Sequence, residues 1–179
     1  PFRYPPLRHG SRFGSRENRG MFYGSRTRIG SLVEGAYDAL LFSEGFSEPP
    51  KAPIRRRQTL FSVLLQTSRG LQLQDLAAAA AQAALRDPLH YGPTQRLGTW
   101  MREVGIEAFE TLSARTSESL VQVGVFTPAA LVSTPFDQVE ITGEVNGDHA
   151  SFLSHDDGTV HRFPRKLFLV EGELPQAAA

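Results

Sequence analysis

An arginine between glycines, a tyrosine and a glutamate follow one another at even steps near the start of the chain. They stand in Gly10-Ser11-Arg12-Phe13-Gly14, at Tyr23 and at Glu34, so that positions 12, 23 and 34 are eleven apart. Glycines let backbone approach a ligand closely, and a guanidinium between them can grip a pyrophosphate through two parallel charged hydrogen bonds. A tyrosine ring offers a face for a flat heterocycle and a hydroxyl for a polar group. A carboxylate near a helix start stays charged and can stabilise the sugar cation that forms as a glycosidic bond breaks. Ser113-Ala114-Arg115, much later, adds a hydroxyl and a second guanidinium. Together these residues read as a site for a dinucleotide whose glycosidic bond is broken.

Each has a structural reading beside the chemical one. Arg12 could pair with a carboxylate in a tight loop, and Tyr23 could be a half-buried core residue. Ser31-Leu32-Val33-Glu34 is a capping box, in which Glu34 serves the backbone of Ser31. Tyr37 and Asp38 follow by three and four residues and share the Glu34 face. No histidine is placed to activate Ser113, so it reads as a hydrogen-bonding positioner and not as a nucleophile.

The elements that must position these residues can be read from pattern. Residues 1–20 are rich in Pro, Gly, Ser and Arg and read as extended and loop-like. Gly20–Gly24 predicts a short aromatic strand, and a helix is expected from Ser31 with Leu32, Val33, Ala36, Leu40 and Leu41 as its apolar stripe. Glu44–Pro53 reads as a loop that Arg55-Arg56-Arg57 ends, and Thr59–Thr67 as a buried strand. Asp75 is expected to cap a helix over Leu76–Leu85, and Thr94 another that stops at Gly105. Ile106–Leu112 and Leu120–Phe126 predict strands around the Ser113–Ser119 turn. A meander follows: Val139–Val145, a turn at Asn146-Gly147, Ser151–Ser154, a turn at Asp157-Gly158, Val160–Phe163 and Leu167–Val170. Ala177–Ala179 is expected to fray. Strands and helices mix without regular alternation, which indicates an α+β fold in a single domain over 1–179, with a C-terminal β meander at 139–171.

Composition narrows the function classes. Of 179 residues, 40% are hydrophobic and 21% charged, as in ordinary globular proteins. No apolar run is long enough for a membrane span. A chain beginning at Pro1 reads as trimmed. The absence of cysteine removes disulfides and thiolate chemistry, and fits the cytoplasm. The signatures of P-loops, dinucleotide-binding βαβ units, zinc proteases and serine hydrolases are missing. His9, His90, His149, His155 and His161 show no ligand spacing, so no metal is expected.

Net charge is zero, yet residues 1–100 carry 14 basic and 7 acidic side chains and residues 101–179 carry 5 and 12. This asymmetry permits contact between copies of the chain or with a partner. Seven arginines within the first 28 residues keep an Arg-rich nucleic-acid-binding module as a rival, although overall neutrality speaks against direct nucleic-acid binding.

The order and spacing of several blocks carry more than any single residue. GSRFGSR at 10–16, MFYGS at 21–25, SLVEGAYDALLF at 31–42, DPLHYGPTQRLGTWMR at 87–102 and LSARTSESLVQVGVFTPAAL at 112–131 together resemble the RES-domain toxin family. The resemblance implies an ADP-ribosyltransferase-like mixed β core with a few helices. It implies the toxin component of a bacterial type II toxin–antitoxin pair that uses NAD+ as substrate and cleaves its nicotinamide–ribose bond. The alternative within the family is transfer of ADP-ribose to a specific protein. By the same resemblance, Arg12 would bind the NAD+ phosphates and Tyr23 would stack near nicotinamide. Glu34 would be the catalytic carboxylate, Ser113 would position the ribose or amide, and Arg115 would be a further contact. The implied partner is a cognate Xre-like antitoxin that occludes the active site.

Overall fold

The computed structural model describes residues 2, 10–48 and 50–176, so His9 and the expected fraying of Ala177–Ala179 lie outside the described residues. The fold is α+β. Its first sheet contains β1 (Phe22–Ser25), β3 (Gly70–Gln72), β4 (Ala108–Leu112) and β5 (Val121–Val125), in the order β1-β5-β4-β3. Its second contains β2 (Ile54–Ser62), β6 (Phe136–Val145), β7 (His149–Ser154) and β8 (Val160–Pro164), in the order β2-β6-β7-β8. Every pairing is antiparallel except β3 with β4.

The longest helix, α1 (Arg28–Glu44), touches both sheets and carries Glu34. Its apolar stripe of Leu32, Val33, Ala36 and Leu40 is buried against Val139, Ile141, Ala150, Phe152 and Phe163 of the second sheet. Along β6, Val139, Ile141, Gly143 and Val145 point inward while the residues between them point away, the period of two expected of a half-buried strand. Two shorter helices, α2 (Ala79–Arg86) and α3 (Gly92–Glu103), cover the first sheet through Leu85, Met101, Phe109 and Phe13.

Several boundaries differ from the sequence reading, each for a local reason. Helix α1 starts a turn before Ser31: extended Thr27 (φ −134°, ψ 151°) is the cap, and its Oγ1 accepts from the Gly30 N–H at 3.1 Å. The Ser31 N–H donates to the Thr27 carbonyl, so the expected Ser31–Glu34 capping box does not form. The expected buried strand over Thr59–Thr67 is instead β2, which takes in Arg55-Arg56-Arg57, breaks register between Leu60 and Ser62, and is largely exposed as a sheet edge. Asp75 lies in a 3-10 turn and does not cap α2, which begins at Ala79. Tyr91 precedes α3, and Thr94 is buried inside it with its hydroxyl donating to the Tyr91 carbonyl. The expected strand at Leu167–Val170 is mostly a 3-10 turn, Arg165–Phe168, which seats Phe168 against Tyr37. Strand β3, three residues long, had no readable alternation. The Gly105 stop is as expected, at φ +75°.

The loop carrying Arg12 is pinned from beneath. Ser11 and Gly14 exchange backbone hydrogen bonds at 2.7 and 3.3 Å, and Gly10 takes φ +70°. Phe13 is buried against Phe109, with ring centroids 4.5 Å apart. Gly98 of α3 lies so close that a Cβ there would stand 2.0 Å from the Phe13 carbonyl oxygen. An alanine favours an isolated helix by roughly 1 kcal/mol over glycine, but this clash is with backbone that a rotamer change cannot relieve. We therefore expect Gly98→Ala to lower the urea midpoint, and an unchanged or raised midpoint would show that the loop is not held at this contact.

Candidate active site

Glu34 emerges from the middle of α1, and Ser113 opens the turn from β4 to β5. The Ser113 hydroxyl donates to Glu34 Oε1 at 2.7 Å and accepts the Arg115 backbone N–H at 3.1 Å. Ser113 is buried, its own N–H held by the Leu120 carbonyl at 2.8 Å. Arg115 Nε stands 3.9 Å from Glu34 Oε2; its side chain is 9% exposed, against 36% for Glu34. The Arg115 guanidinium carbon lies 3.5 Å from the centroid of the Tyr37 ring, and its Nη2 donates to the Tyr91 hydroxyl at 2.5 Å.

Arg12 meets Tyr91 at its ring. Its guanidinium carbon is 4.5 Å from the centroid of that ring, and Nη1 donates to the Asp87 carbonyl at 2.6 Å. The expected alternative, an ion pair in a tight loop, does not occur among the described residues: Arg12 bonds carbonyls and has no carboxylate at salt-bridge distance. Burial lowers its pKa; the Tyr91 phenol and Glu34 oppose the shift, and Arg115 reinforces it.

Tyr23 joins this group through the Arg12 loop. Its hydroxyl shares a 2.9 Å hydrogen bond with Ser11 Oγ and accepts the Phe13 N–H at 3.4 Å. Burial of the hydroxyl pushes its pKa up, while the residue as a whole stays 45% exposed. The hydroxyl is held by these two hydrogen bonds, and the residue also lines the groove of Phe22, Arg26 and Glu110. The structure thus brings Arg12, Glu34, Ser113 and Arg115 into one cluster, with Tyr23 bracing its edge.

Three contributors were not singled out in the sequence as site residues. Tyr91 links the two arginines, ring to one and hydroxyl to the other. Tyr37, noted only as a neighbour of Glu34, lies under Arg115, and its hydroxyl donates to the Pro175 carbonyl. Arg86 bonds the carbonyls of Ser113 and Thr116. The signal for Tyr91 was its place in the block at 87–102, but no spacing rule ties it to residues 12 and 115.

The electrostatics favour an anion. Two guanidinium groups lie near one carboxylate, only Arg115 at salt-bridge distance from it, and Arg12 Nη2 and Arg115 Nη1 are buried without hydrogen-bond partners among the described residues. Buried donors of this kind are uncommon, Arg102 Nε being another outside the cluster, and an anion admitted by a small side-chain shift would satisfy the two at Arg12 and Arg115. By contrast, Arg26 is matched to buried Glu110 at 2.5 Å. Among the described residues no group of three or more His, Cys, Asp or Glu side chains is arranged to hold a metal ion.

Asp38, one turn after Glu34, is pushed up to about 6 by the protein around it and then by the Glu34 charge, with Arg115 acting oppositely. Asp38 is exposed, so solvent screens part of this shift. A carboxyl that binds its proton more tightly folded than unfolded destabilises the fold when ionised, and that penalty fades as pH falls. Asp38→Asn should therefore raise the urea midpoint at about pH 8, with the gain shrinking towards zero by about pH 4. A gain independent of pH would contradict the assignment.

Comparison with curated proteins gives no match. The sequence matches the family model described as the RES domain over residues 1–142, a span that takes in Arg12, Tyr23, Glu34, Ser113 and Arg115. With more than half of its length matched, the chain belongs to the RES domain family.

Proposed function

We propose that this RES-domain protein binds NAD+ and cleaves its nicotinamide–ribose bond, as the toxin component of a bacterial toxin–antitoxin pair. The observation that carries the reading is the contact of Glu34 with Ser113 beside two arginines that each retain a buried, unpartnered nitrogen. The two negative charges of a pyrophosphate suit Arg12 and Arg115, and the partly exposed Tyr23 suits a flat nicotinamide.

The chemistry needs little beyond these groups. As the bond breaks, its electron pair moves onto the pyridinium nitrogen and nicotinamide leaves neutral, so no general acid is required. Positive charge develops on the ribose, where an ionised Glu34 stabilises it, as carboxylates do in glycosidases. Ser113 fixes one Glu34 oxygen and so limits how the other is presented. The nucleophile that completes the reaction is water, phosphate or a protein side chain. The last is the alternative reading, ADP-ribosylation of a specific protein, and it uses the same ground-state contacts.

The cognate partner in this proposal is an Xre-like antitoxin that covers the cluster, and the compartment is the cytoplasm. No helix among the described residues is long and apolar enough to cross a membrane. A nucleic-acid module of the rival kind should weaken on removal of the run Arg55-Arg56-Arg57. Arg55 pairs with Glu144 at 2.8 Å, Arg57 lies 3.7 Å from Glu140, and Arg56 stacks on Phe42 at 3.9 Å. These engagements favour a sheet-edge role for the run.

Glu34→Gln tests the proposal. Glutamine suits a helix interior and can still accept from Ser113, so the fold should persist while the charge is lost. Purified protein incubated with NAD+ should release nicotinamide, and the variant should do so at least about 100-fold more slowly. Undiminished release by the variant would sink the catalytic role of Glu34. Release that requires a second protein, which becomes labelled, would favour the transferase.

A further inference from the structure

The geometry points to Arg86 as the positioning residue that holds the Ser113–Thr116 turn, and with it Ser113 and Arg115, against Glu34. The inference rests on the proposed NAD+ reading for its consequence in catalysis, but not for its structural content. Arg86 stands in the last turn of α2 and is half-buried. Its Nε donates to the Ser113 carbonyl at 3.2 Å and its Nη2 to the Thr116 carbonyl at 2.7 Å. No carboxylate among the described residues lies within salt-bridge distance of it.

Beyond the side-chain contacts of Ser113 and Arg115, the turn's backbone has few other supports. Its N–H groups are tied at Ser113 to the Leu120 carbonyl, at Arg115 to Ser113 Oγ and at Glu118 to Thr116 Oγ1. The carbonyls of Ser113 and Thr116 are held together by the Arg86 fork. The residues on either side of Arg86 serve the opposite half of the cluster: the carbonyls of Leu85 and Asp87 receive Arg12 Nη1 at 3.5 and 2.6 Å. Three consecutive residues therefore fix the spacing between the arginine loop and the serine turn, one half through backbone and the other through a single side chain.

The plainer account of Arg86 is a cation placed at a helix C-terminus, where the dipole favours either basic residue. The two accounts separate on geometry. A lysine supplies the charge but is a point donor without the rigid fork that spans two carbonyls. A turn released by a fraction of an ångström to an ångström displaces Ser113 and Arg115 from Glu34, and such misplacement costs about 100-fold in rate. Binding through Arg12, which leans on backbone, should persist, so affinity should lose only what the displaced Arg115 contributes.

The test uses Arg86→Lys and Arg86→Met in the full chain, with three readouts: nicotinamide release from NAD+, ADP-ribose affinity by calorimetry, and amide hydrogen exchange. In both variants we expect kcat to fall about 100-fold and ADP-ribose affinity to fall by no more than about tenfold, the share of a displaced Arg115 contact. Exchange should accelerate in 113–120 and not in α1. Wild-type kcat and exchange in Arg86→Lys would overturn the inference in favour of a helix-end cation. Faster exchange throughout the chain, with equal losses in kcat and affinity, would overturn it in favour of a general structural role. If the wild-type protein releases no nicotinamide, the NAD+ reading fails and exchange alone decides. Acceleration confined to 113–120 then supports the positioning role, and unchanged exchange overturns it.

Discussion

The hydrogen bond from the Ser113 hydroxyl to Glu34 is the contact on which the architecture of the site depends. It joins residues 79 positions apart and ties the turn from the first sheet to the helix packed on the second. Helix α1 must meet two demands at once. Its stripe of Leu32, Val33, Ala36 and Leu40 is committed to the hydrophobic core. Glu34 must still emerge towards the turn, where its carboxylate is only partly desolvated. A residue in the helix interior, with its backbone already satisfied, can meet the second demand without disturbing the first. That is why the position of the cap at Thr27 matters: it frees Glu34 from any capping duty.

Around this contact the protein maintains an electrostatic imbalance. Arg12 lies over the Tyr91 ring and Arg115 donates to its hydroxyl, while Arg115 also rests on the Tyr37 ring. Aromatic faces and carbonyls offset part of the cost of burying guanidinium groups, but they do not neutralise charge as a carboxylate would. Two nitrogens remain unpartnered. Elsewhere the chain does match arginine with acid, as in Arg26–Glu110 and Arg165–Glu44. At Arg12 and Arg115 a single carboxylate, Glu34, faces two guanidinium groups, and an anionic ligand is the simplest completion of the cluster.

Much of the fold was legible because its signals are local. Alternation marked β6, glycine at positive φ stopped α3, and Asn146 closed its turn by accepting two backbone N–H groups. The start of α1 was misplaced because Thr27 and Ser31 are both competent caps, and only the extended backbone of Thr27 decides between them. Edge strand β2 was misread because its exposed arginines carry no apolar period. Arg12, Glu34, Ser113 and Arg115 were legible as residues, but their assembly was not, since Arg12 meets Asp87 across 75 positions. The even spacing of Arg12, Tyr23 and Glu34 has no periodic basis: one lies in a tight loop, one in a strand and one inside a helix. Tyr91 and Arg86 act through long-range contacts that no short motif encodes.

The central claim is that the Arg12–Glu34–Ser113–Arg115 cluster receives a dinucleotide with its nicotinamide ribose at Glu34. The most direct measurement is a crystal structure of the Glu34→Gln protein, in which turnover should be arrested, grown with NAD+. The account predicts pyrophosphate oxygens within hydrogen-bond distance of the Arg12 and Arg115 guanidinium groups and the ribose carbon of the scissile bond facing residue 34. A dinucleotide bound elsewhere, for example in the groove lined by Arg57, Thr59, Gln138 and Glu140, with both arginines untouched, would contradict it.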